Sequence, residues 1–255
     1  KSLLLKTCGN LKAGLIWQPG FDNYLKITSF HIYGKSTYDK DYILMKDLTG
    51  NYTQWELDVT PYANYTFKIT AKNLLGESLM SDPTNVCTTK EFPPSHHPKN
   101  VKIIDNKTGK LVIEWDAIKP KEQNGPGFKY IIYTTHLKSG KKKSYEVTDW
   151  DTTKKEIDVN NTYEQYKVEV KAQNVKGDAT DKSYIYRGHS GMGVPTEVPG
   201  NFEVDPDEPF SHEAISFRWD PVDTSDTAMK GKFAGYKIRY WNSDEPDKMK
   251  EIDIP

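Results

Sequence analysis

Tyr65-Thr66-Phe67-Lys68-Ile69-Thr70-Ala71-Lys72-Asn73 and Tyr166-Lys167-Val168-Glu169-Val170-Lys171-Ala172-Gln173-Asn174 match position for position, 101 residues apart. In both, apolar and polar residues alternate with period two, the period of a strand that buries one face. Each stretch then meets a glycine, Gly76 or Gly177, where a turn is expected. A second signal sits upstream of each. An apolar strand ends in a tryptophan: Leu15-Ile16-Trp17, Val112-Ile113-Glu114-Trp115 and Ile215-Ser216-Phe217-Arg218-Trp219. The tryptophans are spaced by 98 and 104 residues, so the chain of 255 reads as three repeats of one unit.

After each Trp comes another alternating strand, carrying Phe30, Ile32 and Tyr33, then Tyr130, Ile132 and Tyr133, then Tyr236, Ile238 and Tyr240. Short strands with one apolar face form antiparallel sheets, and two such sheets must pack face to face to hide those faces. The fold expected is all-β, a tandem of β-sandwiches with no helix of useful length. Trp17, Trp115 and Trp219 are read as core residues with no ligand role. Tyr65 and Tyr166 stand where a tyrosine corner forms, the ring inside and the hydroxyl bonded to backbone upstream.

Composition narrows the function. Lys and Arg number 35 against 36 Asp and Glu, for a net charge of −1, which disfavours nucleic acid as a partner. Aromatic residues make up 12% of the chain, including 16 Tyr and 6 Trp, which argues for folded modules over disorder. No apolar run approaches the ~20 residues of a membrane span. Lys1 follows no leader and Pro255 falls in mid-pattern, so both ends are read as internal to a longer protein.

The Trp-bearing strand, the Tyr-x-apolar-x-apolar-x-Ala-x-Asn strand and the period resemble fibronectin type III modules. Asn124-Gly125-Pro126-Gly127-Phe128-Lys129-Tyr130, the Tyr163 to Asn174 strand, Gly188-His189-Ser190-Gly191 and Gly235-Tyr236 to Tyr240-Trp241 resemble, in that order, the first three such modules of the neuroglian and neurofascin family of neural cell-adhesion molecules. On this reading residues 1–92 form one module, 98–194 a second and 198–255 an incomplete third, with its core exposed for want of later strands. Pro-rich polar joints, 91–98 and 193–199, separate them. The resemblance implies the extracellular side of a single-pass cell-surface protein that binds copies of itself and other surface or secreted proteins. It also implies a role in axon and dendrite patterning, and an ankyrin-binding tail that lies outside this stretch. The modules would act as spacer and protein-binding rod. A cytokine-type receptor, whose Trp-Ser-x-Trp-Ser signature is missing here, or a receptor tyrosine phosphatase ectodomain is the alternative.

Cys8 and Cys87 are 79 residues apart, a spacing foreign to zinc knuckles and redox pairs. First and last strands of a sandwich lie at neighbouring edges, so a disulfide is sterically allowed, with two free thiols as the alternative; the family resemblance implies the bond. Asn51, Asn64, Asn106 and Asn160 each begin an Asn-x-Thr sequon and are read as sites glycosylated in the secretory pathway.

Catalysis finds no support. His31, His96, His97, His136, His189 and His212 show no metal-binding spacing, and His96 and His97 would point apart in an extended joint. There is no Gly-x-Ser-x-Gly elbow, and the acidic run Asp205-Pro206-Asp207-Glu208 reads as a solvated loop more economically than as a calcium site. No cofactor and no small-molecule substrate are implied. Lys138, Lys141, Lys142 and Lys143 crowd one hairpin and could meet heparan sulfate or an acidic partner surface; a charged edge that resists strand pairing explains them equally well.

Overall fold

The structure, a computed structural model, describes residues 2–22, 24–207 and 214–255. Glu208 and His212 lie outside the described residues. The first repeat contains β1 (Ser2–Cys8), β2 (Lys12–Gln18), β3 (Ser29–Ser36), β4 (Ile43–Thr49), β5 (Gln54–Asp58), β6 (Asn64–Asn73), β7 (Gly76–Glu77) and β8 (Cys87–Thr88). One sheet runs β1-β2-β5 and the other β4-β3-β6-β7, with β8 also on β6. All pairings are antiparallel, and the long β3–β6 ladder runs from Ser29 opposite Lys72 to Ser36 opposite Tyr65.

The second repeat copies this plan with β9 (Lys102–Ile104), β10 (Lys110–Glu114), β11 (Lys129–His136), β12 (Lys142–Val147), β13 (Lys154–Asp158), β14 (Gln165–Asn174), β15 (Gly177–Asp178) and β16 (Ile185–His189). Its sheets run β13-β10-β9 and β12-β11-β14-β15, with β16 also on β14. Gly177 turns the chain at φ 117°, a backbone region costly for any side chain.

Period-two burial makes both cores. Along β3 every second residue from Phe30 is buried, and β14 alternates likewise from Tyr166. Trp17 meets Phe30 edge-on across the sheets at 5.5 Å and 63°, and Trp115 meets Tyr130 at 5.4 Å and 61°. The third repeat has the same contact, Trp219 on Tyr236 at 5.3 Å and 63°. Its described strands form two ribbons, β17 (Gly200–Val204) with β18 (Phe217–Asp220), and β19 (Tyr236–Asn242) with β20 (Glu245–Ile254). Trp219 is consequently only half-buried, beside a 560 Å³ cavity that Phe202 and Ile238 also line. The described α-helix is short: α1 (Asp226–Met229), capped where Ser225 Oγ accepts the Ala228 N–H at 3.4 Å. No described helix is long and apolar enough to cross a membrane.

The two tyrosine positions differ in detail. Tyr65 lies inside, and its hydroxyl accepts the Thr60 backbone N–H at 3.1 Å, as expected of a corner. Tyr166 is equally buried, but its hydroxyl takes its hydrogen bond from the Asn161 side-chain amide at 2.8 Å and not from backbone. Asn161 occupies the position of Thr60 in the repeat, and its longer side chain reaches the ring first.

Cys8 at the end of β1 is disulfide-bonded to Cys87 in β8, with Cα atoms 5.6 Å apart. Because β1 and β8 belong to opposite sheets, the bond ties the two layers together.

The stretch 92–97, within the Pro-rich polar joint 91–98 read from sequence, packs onto the second repeat. Pro94 is fully buried. Phe92 and Ser95 donate backbone N–H bonds to the Asn124 and Glu122 carbonyls, both at 2.9 Å. In return the Asn124 amide donates to the Pro93 carbonyl at 2.8 Å, and the Asn174 amide to the Phe92 carbonyl at 2.7 Å. His97, 6% exposed, donates its backbone N–H to Asp181 and accepts the Ala172 N–H on Nδ1 at 3.1 Å. An imidazole that accepts on Nδ1 is the neutral form. Burial drives its pKa down; Asp181, Asp178 and Glu169 oppose this, while Lys171 adds to it.

Two consequences are measurable. Closing 79 residues stabilises the first repeat by about 4.5 kcal/mol in the chain-entropy treatment. The double substitution Cys8→Ala, Cys87→Ala should therefore lower the first repeat's calorimetric transition and leave the second unchanged. A first transition moved by no more than a degree or two would contradict it. For His97 the folded pKa lies below that of the unfolded chain, so acid favours the unfolded state. Stability of the second repeat should be full above about pH 6.5 and fall as the pH drops below it. His97→Gln should flatten that fall in Tm-against-pH scans, and an undiminished slope in the variant would assign it to other groups.

Candidate functional site

The lysine-rich hairpin of the second repeat joins β11 to β12, and β12 is the outermost strand of its sheet, paired only to β11. The hairpin closes through His136 and Lys141, whose backbone N–H and carbonyl bond at 2.9 Å, with Gly140 at φ 68°. Side chains then pin it to the body of the module. The His136 ring packs on Tyr166 at 4.9 Å, its Nδ1 sits 2.7 Å from Ser139 Oγ, and its Nε2 contacts Glu164. Lys138 also pairs with Glu164, at 3.1 Å. Partial burial pulls the Glu164 carboxyl upward in pKa. The bonds from Lys138 and His136 outweigh it and hold the group below the usual carboxylate range.

The four lysines singled out in the sequence therefore separate. Lys138 is committed to Glu164. Lys143 stands directly opposite Thr134 and Lys142 opposite Thr135, so period two sends Lys143 to the inner face and Lys142 to the outer one. Lys141 and Lys143 line a cleft of 330 Å³ at the end of the sandwich, together with His136, Thr134, Asn160 and Asn161. Among the described residues no carboxylate forms an ion pair with Lys141, Lys142 or Lys143, whereas Lys107, Lys110, Lys129, Lys154 and Lys171 of the same module all have one. Asp158, the acidic residue on the cleft wall, is already paired with Lys110. The cleft is thus a place of uncompensated positive charge.

The sequon asparagines are all exposed. Asn51 lies in the turn after β4, Asn106 between β9 and β10, and Asn160 just past β13. Asn64 opens β6, and its Oδ1 accepts from Thr88 Oγ1 at 2.8 Å. Sequence reasoning treated Asn160 and the lysines as unrelated features, and weighed His136 only as a metal ligand. Nothing in the linear pattern joins them, because the cleft is made where β11 and β12 of one sheet meet the end of β13 in the other.

No protein-family model matches the chain. Neuronal cell adhesion molecule of Gallus gallus is 31% identical over 229 residues, covering 89% of this chain and 17% of that protein. Neuroglian of Drosophila melanogaster is 27% identical over 255 residues, covering 97% of this chain and 19% of that protein. The chain thus spans 17–19% of the length of such curated relatives. Among solved structures, the chicken CNTN1 FN1-FN3 domains superpose with a TM-score of 0.60 at 25% identity, covering 99% of this chain and 83% of that one. Repeat period, sheet order, the edge-on tryptophans and these likenesses agree: the chain is a tandem fibronectin type III stretch homologous to the neural cell-adhesion molecules of the neuroglian, NrCAM and L1 kind.

Proposed function

We propose that this stretch serves the ectodomain of a cell-surface adhesion molecule, spacing recognition domains and displaying faces to other cell-surface proteins. The observation that carries the reading is likeness to neuronal adhesion molecules over nine-tenths of the chain, at the level of 31% identity over 89% of it. The fold is compatible with it. Filled sandwiches offer broad strand faces for contact in place of an enclosed reaction chamber. The Cys8–Cys87 bond suits an oxidising compartment, hence the extracellular side of a membrane. An ankyrin-binding tail after a single span, glycans on Asn51, Asn64, Asn106 and Asn160, and homophilic as well as heterophilic partners extend the same reading. On it, the lysine edge of the second module is where an acidic partner or heparan sulfate would bind.

Adhesion by a rod depends on length as well as on contact. Deleting residues 1–255 from the full-length protein on non-adherent cells should reduce cell aggregation, and an unrelated rod of equal length should restore only the part due to spacing. Aggregation and partner binding that both survive the deletion intact would reject the proposal.

A further inference from the structure

We propose that the cleft bordered by Lys141 and Lys143 binds a sulfated or carboxylated linear polysaccharide, and that an N-glycan on Asn160 closes it. The inference rests on the extracellular reading above, and takes it to a specific site and its control.

Charge, volume and residue type converge on the ligand. Among the described residues the cleft's Lys141 and Lys143 have no ion-pair partner, while its neighbouring anions are spoken for: Asp158 by Lys110, and Glu164 by Lys138 and His136. An incoming anion therefore meets attraction without displacing an existing pair. The volume, 330 Å³, stands at the lower end of the range for small-molecule clefts and suits one or two sugar rings. The exposed Asn160 amide offers hydrogen bonds of the kind ring hydroxyls take. Lys142 on the outer face of the edge strand gives a polymer leaving the cleft a further charge to follow. The residue type also discriminates. Lysine is depleted in protein–protein interfaces, which favour Arg and aromatic anchors, whereas flexible point charges suit a hydrated polyanion that gains by releasing counterions.

Control follows from Asn160. It is exposed, lines the same cleft as the two lysines, and begins the sequon Asn160-Asn161-Thr162. Its neighbour Asn161 is fixed by hydrogen bonds to the Tyr166 hydroxyl at 2.8 Å and from Ser190 Oγ at 3.1 Å. A bulky, hydrated glycan would thus be rooted on a firm wall at the cleft mouth, competing for the space a polysaccharide needs.

The test uses the whole chain secreted from animal cells, with immobilised heparin and a poly-glutamate peptide as probes. Asn160→Gln and Thr162→Ala both abolish the sequon, the second while keeping Asn160 itself. Each should bind heparin about tenfold or more tighter than the glycosylated parent, with affinity falling steeply as salt rises. Adding Lys141→Glu and Lys143→Glu to Asn160→Gln should remove that gain without lowering Tm. Mass mapping that finds Asn160 unmodified, or equal heparin affinity with and without the sequon, overturns the gate. Heparin binding that survives loss of both lysines overturns the site, and equal binding of poly-glutamate overturns the saccharide. These readouts involve no cell aggregation, so the adhesion reading can fail in its own assay while they stand, and the reverse.

Discussion

Edge-on packing of an indole from one sheet against an aromatic ring of the other is the contact around which each repeat closes. Trp17 and Trp115 sit at the end of a strand in the three-stranded layer and reach Phe30 and Tyr130 in the facing layer. Among the described residues the Trp17 indole N–H finds no acceptor in its buried site. That orphaned donor costs about 1–3 kcal/mol. Burying ~200 Å² of indole contributes about 5 kcal/mol, so shape wins over hydrogen bonding here. Trp219 shows the limit of this contact: the same ring pair, at nearly the same angle, leaves it half-buried where the described strands form two ribbons. The contact orients the layers; the remaining strands exclude the water.

A second constraint acts where the repeats join. Proline-rich polar sequence between strands normally means solvated chain, yet 92–97 is held by amides of Asn124 and Asn174 and by the His97 ring. The two amides satisfy the Pro93 and Phe92 carbonyls of the strap, and the His97 ring satisfies the Ala172 N–H of β14, which is how an irregular segment can be buried without leaving these backbone groups unpaired. The Asn124-Gly125-Pro126-Gly127 turn, part of the family resemblance, thereby gains a physical role: Asn124 clamps the incoming strap.

The lysine edge illustrates how one strand can meet two demands. An outermost strand needs charge to discourage pairing with another chain, and Lys142 and Lys143 on β12 supply it. Because the side chains alternate, half of that charge necessarily turns toward the end of the sandwich, where Lys143 and Lys141 gather with His136. Protection of an edge and creation of a basic cleft are consequences of the same alternation.

Period two, the tryptophan spacing and the two matching Tyr-to-Asn strands were enough to give the fold from sequence, because burial of alternate residues is a local rule that repeats in every strand. The sequence also placed Tyr65 and Tyr166 in the interior, for the same reason. It did not distinguish the backbone partner of Tyr65 from the Asn161 side chain that serves Tyr166, since that choice depends on reach within a folded corner. Nor could it bury Pro94 and His97 or join Asn160 to Lys141 and Lys143. Those are meetings of segments far apart in the chain, one of them between two sheets, and periodicity within one strand carries no information about which strand end will lie opposite. Only the packing of the layers decides them.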